Sequence, residues 1–302
     1  MPAMNAKKLI VVAGPTAVGK TAVAIQLAKR LGVEIVSADS RQLFVEMNIG
    51  TSKPSHAERA AVKHHFVDCL SITTPYDAGK FGGDALHLIT KLFEQYDQVI
   101  LCGGSGLYIR AVCEGFDDMP DVPGIIREEL VEQYKSKGIA WLQQQLSAAD
   151  PDYFEQVDLE NPHRLMRALE LIRVTGEPVS ALRKKNKIAH PFSIIKIGLD
   201  MERQQLYDRI EQRVDGMMQA GLLEEARGLY AQKSLLALHT VGYQELFRYL
   251  EGVFDLEEAV RLIKRNTRRY AKRQLTWFRK EGMLWFRPDE IERMLDLINP
   301  ER

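Results

Sequence analysis

The sequence predicts an α/β fold with a parallel sheet at its core, a helical insertion and a set of C-terminal helices. Short apolar runs alternate with helical patterns in the first third of the chain, which is typical of a parallel sheet covered on both faces. Residues 125–187 have helical patterns and no convincing strand, and a strand-like run returns at 190–200. The simplest architecture is therefore one sheet whose chain leaves for a helical insertion and then returns.

Apolar runs predict the strands, and helical periodicity predicts the helices. Val23, Leu27 and Leu31, for example, share one face of a helix over residues 19–31. The predicted strands cover residues 8–13, 34–37 and 97–102, with a possible further strand at 66–70. The predicted helices cover residues 19–31, most of 76–96, 107–112, 203–220, 222–231, 241–250 and 256–280.

A hinge is predicted at FDDMPDVPG, residues 116–124, because this segment holds two prolines and three aspartates. We therefore predict a catalytic core of residues 1–116 and 190–302 and an insertion of residues 117–189. Within the insertion, Asp150-Pro151 and Asn161-Pro162 predict helix starts, since proline is favoured at the first helical position.

The composition is that of an ordinary globular protein, with 302 residues of which 45% are hydrophobic and 27% charged. Because the net charge is zero, a nucleic acid would have to be met by a local basic patch. Cys69, Cys102 and Cys113 form no CxxC pair and sit in or beside apolar runs, which predicts buried, reduced thiols. No apolar run is long enough for a secretion signal or a membrane span, so we expect a cytoplasmic protein without membrane contact.

A phosphate-binding loop is predicted at GPTAVGKT, which matches the pattern GxxxxGK[ST] between a predicted strand and a predicted helix. The glycines let backbone N–H groups turn toward a phosphate, and the helix N-terminus and Lys20 add positive charge. The Thr21 hydroxyl can reach a magnesium ion. Such loops usually bind ATP or GTP, so the core is predicted to resemble P-loop NTPases. The motif specifies a ligand with phosphates and leaves the reaction open. Its residues are Gly14, Pro15, Thr16, Ala17, Val18, Gly19, Lys20 and Thr21.

Asp39, in SADSRQLF, stands just past a predicted strand, on the side of the sheet where open α/β proteins bind ligands. Its carboxylate could hold magnesium through water or act as a general base. The alternative is that Asp39 and Ser40 merely cap the next segment. Lys53, in NIGTSKP, either faces a phosphate or is solvated.

Several parts of nucleotide-hydrolysing enzymes are missing. The strand ending at Cys102 carries no terminal aspartate, and NKIA at Asn186 lacks the aspartate of the guanine-binding motif NKxD. No segment is recognisable as one that positions an attacking water, as NTPases do.

The C-terminal segment IKRNTRRYAKRQLTWFRK carries six cations within ten residues. Such a stripe suits a nucleic-acid backbone, and a solvated helix face is the alternative. NPHRLMRALELIRVTG, in the insertion, is a second basic helix, and two of them favour RNA or DNA as a partner. The cations of the C-terminal segment are Lys264, Arg265, Arg268, Arg269, Lys272 and Arg273, and the insertion helix carries His163, Arg164, Arg167 and Arg173.

Together these motifs resemble the tRNA dimethylallyltransferases, the bacterial isopentenyl-tRNA transferases, over residues 8–285. The resemblance is carried by GPTAVGKT, SADSRQLF, NIGTSKP, CGGSGLY, NPHRLMRALE, IEQRV, TVGYQEL and TRRYAKRQLTWFR. It implies prenylation of N6 of adenosine 37 in tRNAs that read codons beginning with U. The implied donor is dimethylallyl diphosphate, used with Mg²⁺. We expect a monomer, because tRNA itself supplies a large partner surface.

The resemblance also implies roles for single residues. The loop from Gly14 to Thr21 would hold the donor's diphosphate, and Asp39 would be the general base that accepts the proton of the adenine amine. Charge on the leaving diphosphate would be stabilised by Thr16, Lys20, Thr21 and Arg213. The implied tRNA contacts are Asp39, Ser40, Arg41, Gln42, Ser105, Arg127, His163, Arg164, Leu165, Met166 and Arg167, and the stripe adds Arg268 and Lys272.

The sequence departs from the family pattern at three positions. Phe44 replaces a common tyrosine and loses its hydroxyl, Ser105 replaces a threonine, and Arg127 lies one residue further from the hinge than the pattern has it. Three other functions stay open: a small-molecule or nucleoside kinase, an enzyme that prenylates free AMP or ADP, and a nucleotide-gated RNA-binding switch.

Overall fold

The chain divides into two compact units in a computed structural model that describes residues 7–117, 119–183 and 188–300. The first unit comprises Met1–Glu114 and Ala189–Arg302, and the second Gly115–Ile188. The sequence places the insertion at 117–189. Four parts of the chain lie outside the described residues: Asp118, residues 184–187 and the two termini. The segment 184–187 includes Asn186 of NKIA.

The first unit is built on a six-stranded sheet in the order β3-β2-β4-β1-β5-β6, and every neighbouring pair is parallel. The α/β fold class is thereby confirmed. Because all strands run the same way, their carboxyl ends share one edge of the sheet, where such folds bind ligands. The strands are β1 (Lys8–Ala13), β2 (Ile35–Ser37), β3 (His64–His65), β4 (Gln98–Gly103), β5 (Ser193–Leu199) and β6 (Leu284–Phe286).

Helices connect and cover these strands and make up the second unit. In chain order they are α1 (Lys20–Leu31), α2 (His56–Ala61), α3 (Ala78–Leu92), α4 (Gly106–Cys113), α5 (Gly124–Ala149), α6 (Pro151–Phe154), α7 (Pro162–Thr175), α8 (Val179–Leu182), α9 (Arg203–Gln219), α10 (Leu222–Leu229), α11 (Tyr243–Leu250), α12 (Leu256–Phe278) and α13 (Ile291–Ile298). Within the described ranges, no helix combines the length and the apolar composition needed to cross a membrane.

Strand β1 is apolar throughout because both of its faces are covered. Ile10 and Val12 pack into a cluster with α1 and α13, whereas Leu9 and Val11 pack into a second cluster with α3 and α4. Successive side chains point to opposite faces of a sheet, so a strand buried on both sides reads as a continuous apolar run. The same reason accounts for the correct prediction of β1.

Two expectations for the segment 66–70 are wrong. The predicted strand does not form, because Phe66 and Asp68 have φ values of 58° and 54°, in the left-handed region that breaks an extended chain. The edge strand β3 is formed instead by the two preceding histidines. Cys69 is exposed rather than buried, whereas Cys102 and Cys113 are buried free thiols as predicted.

The second unit has its own hydrophobic core, formed where α5 and α7 pack together around Leu142, Leu146 and Leu165. Both predicted helix starts are confirmed. The Asp150 carboxylate accepts from the Tyr153 N–H and the Asn161 amide oxygen from the Arg164 N–H, so each caps a helix that begins with proline.

Candidate active site

A cavity of about 490 Å³ opens at the carboxyl edge of the sheet in the first unit. It joins the phosphate loop to the turn after β2 and to side chains of α9 and α12. Its polar part contains Thr16, Lys20, Thr21, Asp39, Ser40, Arg41, Gln42, Arg209, Arg213, Thr267, Tyr270 and Gln274, and its apolar part Val214, Met217, Leu222, Val241 and Ile263.

The phosphate loop turns from β1 into α1 as its motif predicts. Gly19 precedes the helix with φ of 104°, a conformation that residues with a side chain rarely adopt. The Lys20 ammonium donates to the Pro15 carbonyl at 2.8 Å, and the Thr16 N–H donates to the Gln274 amide oxygen at 2.8 Å. The loop thus brings a lysine and a helix N-terminus to one wall of the cavity.

Asp39 lies two residues after β2 and borders the same cavity. Its Oδ1 accepts from the backbone N–H of Arg41 at 2.9 Å and of Gln42 at 3.3 Å. The carboxylate therefore caps the following turn, as the alternative interpretation had it. The same turn also places the Asp39 carboxylate at the cavity that the phosphate loop borders, where a general base would be needed. The two interpretations of Asp39 are compatible, because only one of its oxygens makes these bonds.

The turn that carries Asp39 is held from two sides. The Ser40 N–H donates to the Ser105 hydroxyl at 2.9 Å, and the Gln42 side-chain amide donates to the carbonyls of Thr51 and Ser52 at 3.3 and 3.2 Å. Ser105 therefore braces this turn through the hydroxyl that it shares with the family's threonine. Its predicted contact with tRNA stays a prediction.

Two cations lie close to Asp39 in the cavity. The pKa of Lys20 is lowered to about 8, mainly because burial disfavours its charge; the like charge of Arg213 adds to this effect and Asp39 opposes it. Burial also lowers the pKa of Arg213, and the Asp39 carboxylate again opposes the shift. An anion entering the cavity would meet both cations.

Lys53, at the cavity wall, and Phe44, behind it, hold the local structure together. The Lys53 ammonium donates to the Phe44 carbonyl at 2.6 Å and pairs with Asp68, and its side chain is only 5% exposed. The expectation of a solvated side chain is therefore wrong, whereas a phosphate contact of Lys53, which borders the cavity, stays a prediction. The Phe44 ring is buried in a hydrophobic cluster with Met47 and Tyr243. Phenylalanine, which lacks the hydroxyl of the family's common tyrosine, therefore packs here among apolar side chains.

The basic stripe of α12 is divided between paired and exposed cations. Lys264 pairs with Asp215 at 2.6 Å and Arg268 with Glu211, both across to α9. Three other cations of the stripe are exposed: Arg269, Lys272 and Arg273. The stripe is thus partly a bridge between two helices and partly an exposed positive surface.

In the second unit, the predicted tRNA contacts fall into three groups. His163, Arg164 and Arg167 are exposed on α7. Arg127 pairs with Glu170 at 2.9 Å, and Arg167 joins the same carboxylate at 3.2 Å. Leu165 and Met166 are 0% and 9% exposed in the core of the unit. Their burial removes these two side chains from the predicted tRNA-contacting set.

Three cavity residues on α12 are absent from the site predicted from the sequence: Thr267, Tyr270 and Gln274. The sequence does indicate that these residues share a helix face, although not what Gln274 contacts. Together with Ile263 and Phe278, their spacing of three or four residues marks one face of a helix, opposite to the exposed cations. Arg209, one turn before Arg213 on α9, was also missed.

Comparisons with known proteins agree over almost the whole chain. The family model described as IPP transferase matches residues 42–281. A tRNA dimethylallyltransferase of Christiangramia forsetii is 50% identical over 271 residues, 90% of either chain. The full-length tRNA isopentenylpyrophosphate transferase of Bacillus halodurans is 38% identical, with a TM-score of 0.71 over 97% of this chain and 95% of that one.

A eukaryotic dimethylallyltransferase that acts on tRNA shares the fold at 24% identity, with a TM-score of 0.77 over 98% of this chain and 80% of that one. The phosphate loop precedes the matched segment, while the Asp39 turn leads directly into it. A family match over most of the chain, together with a relative 50% identical over 90% of it, shows that the protein belongs to the IPP transferase family.

Proposed function

We propose that the protein transfers a dimethylallyl group from dimethylallyl diphosphate to N6 of adenosine 37 in tRNAs that read codons beginning with U. The products are N6-isopentenyladenosine in tRNA and free diphosphate. The observation that carries the proposal is one cavity that combines a phosphate loop, a carboxylate and an apolar wall. Its support outside the structure is membership of the IPP transferase family and the names of the relatives.

Each part of the cavity has a role in this reaction. The loop from Gly14 to Thr21 holds the diphosphate, and the apolar wall that includes Val214, Met217 and Ile263 receives the five-carbon chain. The N6 nitrogen forms a bond to the allylic carbon as the bond from that carbon to the diphosphate oxygen breaks. Asp39 takes the proton from N6 as the new bond forms.

The leaving diphosphate gains negative charge, and cations beside the loop stabilise it. Lys20 and Arg213 supply full positive charges, while Thr16 and Thr21 offer hydroxyl donors from the loop. The phosphates leave intact, so ATP is not a substrate of this loop. Splitting of a nucleotide would need a water positioned for attack, and the sequence contains no recognisable segment of the kind that NTPases use for this.

Magnesium is part of the proposal. Thr21 and Asp39 border both the cavity and a recess of about 30 Å³ beside it, so a hydroxyl and a carboxylate face the same space. Mg²⁺ prefers such oxygen ligands, keeps several waters and commonly binds through substrate phosphates. Among the described residues, no group of three or more His, Cys, Asp or Glu side chains is arranged for a metal. A bound Mg²⁺ would neutralise part of the diphosphate charge.

The protein is proposed to act as a monomer in the cytoplasm, with the tRNA in contact with both units. In the first unit the contacts are Asp39 to Gln42, Ser105, Arg268 and Lys272. In the second they are Arg127, His163, Arg164 and Arg167. Because N6 of a stacked base cannot reach the cavity, the adenine must leave the anticodon-loop stack.

One experiment tests the proposal. The protein is incubated with Mg²⁺, labelled dimethylallyl diphosphate and unmodified tRNA, and the labelled nucleoside is located by digestion and mass spectrometry. We expect label on N6 of adenosine 37. A parallel reaction with AMP tests the rival that prenylates free nucleotides, and one with labelled ATP tests the kinase. Phosphoryl transfer without prenyl transfer, or tRNA binding without either, would overturn the proposal.

Asp39→Asn is the informative variant for the chemistry. Asparagine keeps the Oδ1 that accepts from Arg41 and Gln42, so the turn is retained while the base is lost. Turnover is expected to fall by about two to four orders of magnitude, the usual range for a general base. Binding of tRNA, measured by filter retention, should largely survive. Turnover equal to that of the unaltered protein would remove Asp39 from this role.

A further inference from the structure

Gln274 is a buried glutamine that borders the cavity and lies within the motif TRRYAKRQLTWFR, yet neither the sequence analysis nor the proposed chemistry gives it a role. Its side chain is on the face of α12 opposite the exposed cations, and the residue is only 6% exposed. A buried carboxamide must find partners for both its oxygen and its nitrogen, because unpaired polar groups are costly away from water.

Both ends of the Gln274 carboxamide bind a loop of the site. Its Oε1 accepts from the Thr16 N–H of the phosphate loop at 2.8 Å, and its Nε2 donates to the Gly104 carbonyl after β4 at 2.9 Å. A Cβ on Gly104 would lie 2.5 Å from this nitrogen, so α12 approaches the β4 loop as closely as a glycine allows. The carboxamide thus joins two loops that are about 90 residues apart in the chain.

The second of these loops leads to Asp39. Ser105, next to Gly104, accepts from the Ser40 N–H at 2.9 Å, and its own N–H donates to the Ala38 carbonyl at 3.3 Å. These two bonds flank Asp39 on both sides. A short series of hydrogen bonds therefore runs from the phosphate loop through Gln274 and Ser105 to the residues around Asp39.

We propose that Gln274 is a positioning residue that fixes the distance between the phosphate loop and the turn of Asp39. The inference rests on the proposed function, in which the first loop holds the leaving group and the second the base. Transfer needs the base, the amine and the allylic carbon aligned at the same moment, and a misplacement of about 1 Å can cost about 100-fold in rate. In this role Gln274 holds both supports through its hydrogen bonds to Thr16 and Gly104 and takes no part in the bond-making step.

The direct test is Gln274→Met, which keeps the length and bulk of the side chain and removes both hydrogen bonds. We expect kcat to fall about 10- to 100-fold, because alignment of the two loops is lost. The KM for dimethylallyl diphosphate and the Kd for tRNA should change by less than about threefold, since the groups that bind them remain. Thermal unfolding reports whether the variant is folded.

Gln98→Met is the matched control. Gln98 begins β4 at the opposite edge of the sheet, and its carboxamide donates a single tertiary hydrogen bond to Asn299 at 2.6 Å. The same chemical change is made there without touching either loop. We expect its kcat to equal that of the unaltered protein.

Gln274→Glu adds a readout that a purely structural role would not give. When protonated, the glutamic acid can donate to the Gly104 carbonyl and accept from the Thr16 N–H, as glutamine does. When ionised, it can only accept, so the bond to the Gly104 carbonyl is lost; the nearby charged groups are the Lys20 ammonium, which also borders Gly104, and Asp39 and Arg213 of the cavity. The ratio of its kcat to that of the unaltered protein should therefore rise several-fold as pH falls from 8 to 5.5.

The outcomes separate cleanly. A kcat for Gln274→Met within twofold of the unaltered protein, or an equal loss in Gln98→Met, would overturn the inference. If Gln274→Met fails to fold, the pH dependence of Gln274→Glu tests the inference instead. A ratio of its kcat to that of the unaltered protein that does not change with pH would then overturn the inference. Absence of prenyl transfer by the unaltered protein would be a failure of the proposed function and would appear before any variant is compared.

Discussion

Lys20 is a cation whose charge depends on pH near neutrality. Burial lowers its pKa to about 8, and in this structure its ammonium donates to the Pro15 carbonyl of its own loop. A diphosphate in the loop would offer negative charge to the same ammonium and would favour the protonated form. Ligand binding and protonation of Lys20 are therefore coupled.

This coupling predicts weaker donor binding at high pH. Below pH 8 Lys20 is already protonated, so binding takes up no proton; above pH 8 it is mostly neutral and must gain one. Affinity for dimethylallyl diphosphate should be about tenfold lower at pH 9 than at pH 7. Calorimetry in two buffers of different ionisation enthalpy measures both the affinity and the proton uptake.

Lys20→Arg provides the control, because arginine stays charged throughout this pH range. Its affinity for the donor, whatever its absolute value, should not fall between pH 7 and 9. Binding by the unaltered protein without proton uptake at pH 9 would contradict the coupling.

Some residues of the site could be predicted from the sequence and others could not, for physical reasons. Asp39 and the phosphate loop follow apolar strands directly, and the end of a strand in a parallel sheet lies at the ligand edge. Gln274 could not be assigned in this way, because its role comes from contacts with loops far away in the chain. Leu165 lies within a basic motif, and only packing reveals that it is buried.

Among the secondary structure elements, α12 combines three functions on two faces, with core packing and site support on one and exposed cations on the other. Ile263 and Phe278 are buried in hydrophobic clusters, Gln274 reaches into the site, and Lys272 lies on the exposed side. Arg268, between these faces, pairs with Glu211 of α9. The helix can therefore meet a nucleic acid on one side while it supports the cavity on another.

Because some cations of the α12 stripe are paired and others are free, they should contribute unequally to the salt dependence of tRNA affinity. Each phosphate that a free cation neutralises adds about 0.7–0.9 to the slope of log K against log salt concentration. Lys272→Ala should lower the slope for tRNA by about this amount, whereas Arg268→Ala should lower it less, because Glu211 already balances that charge. Filter binding over a salt series measures the slopes.

Arg261→Ala is the control on the same helix. Arg261 is exposed but pairs with Glu258 one turn earlier. Its removal should leave the slope unchanged. If Lys272→Ala also left the slope unchanged, the stripe would be a solvated face with no role in tRNA binding.

The elements that the sequence missed are short or close to the end of the described chain. Strand β6 has three residues, too few for a period to appear, and it pairs only with β5 at the sheet edge. Helix α13 does carry a periodic pattern of Ile291, Met294, Leu295 and Ile298, which becomes meaningful once α1 is known to need a cover. At 66–70 the apolar pattern wrongly predicts a strand. Phe66 and Asp68 have left-handed backbone conformations there, which the apolar pattern does not reveal.

For the whole molecule, the two units have separate hydrophobic cores. Among the described residues, the three clusters of the first unit contain none between 115 and 188, and the cluster of the second unit contains only such residues. In the first unit, a His190 ring nitrogen is 3.0 Å from the Cys113 carbonyl oxygen, so the chain leaves and returns at neighbouring points. A short linker could therefore join the two parts of this unit.

This arrangement predicts that the first unit folds and binds the donor without the second. Replacing residues 115–188 by a short glycine linker should leave cooperative thermal unfolding and an affinity for dimethylallyl diphosphate within about threefold of the full chain, since the entire cavity lies in the retained unit. Binding of tRNA should weaken by roughly tenfold or more, because the exposed cations of α7 are removed. Calorimetry and filter binding on the same preparation compare the two losses. Equal tRNA affinity in the shortened chain would confine the tRNA surface to the first unit, and loss of donor binding in a folded chain would show that the cavity depends on the second.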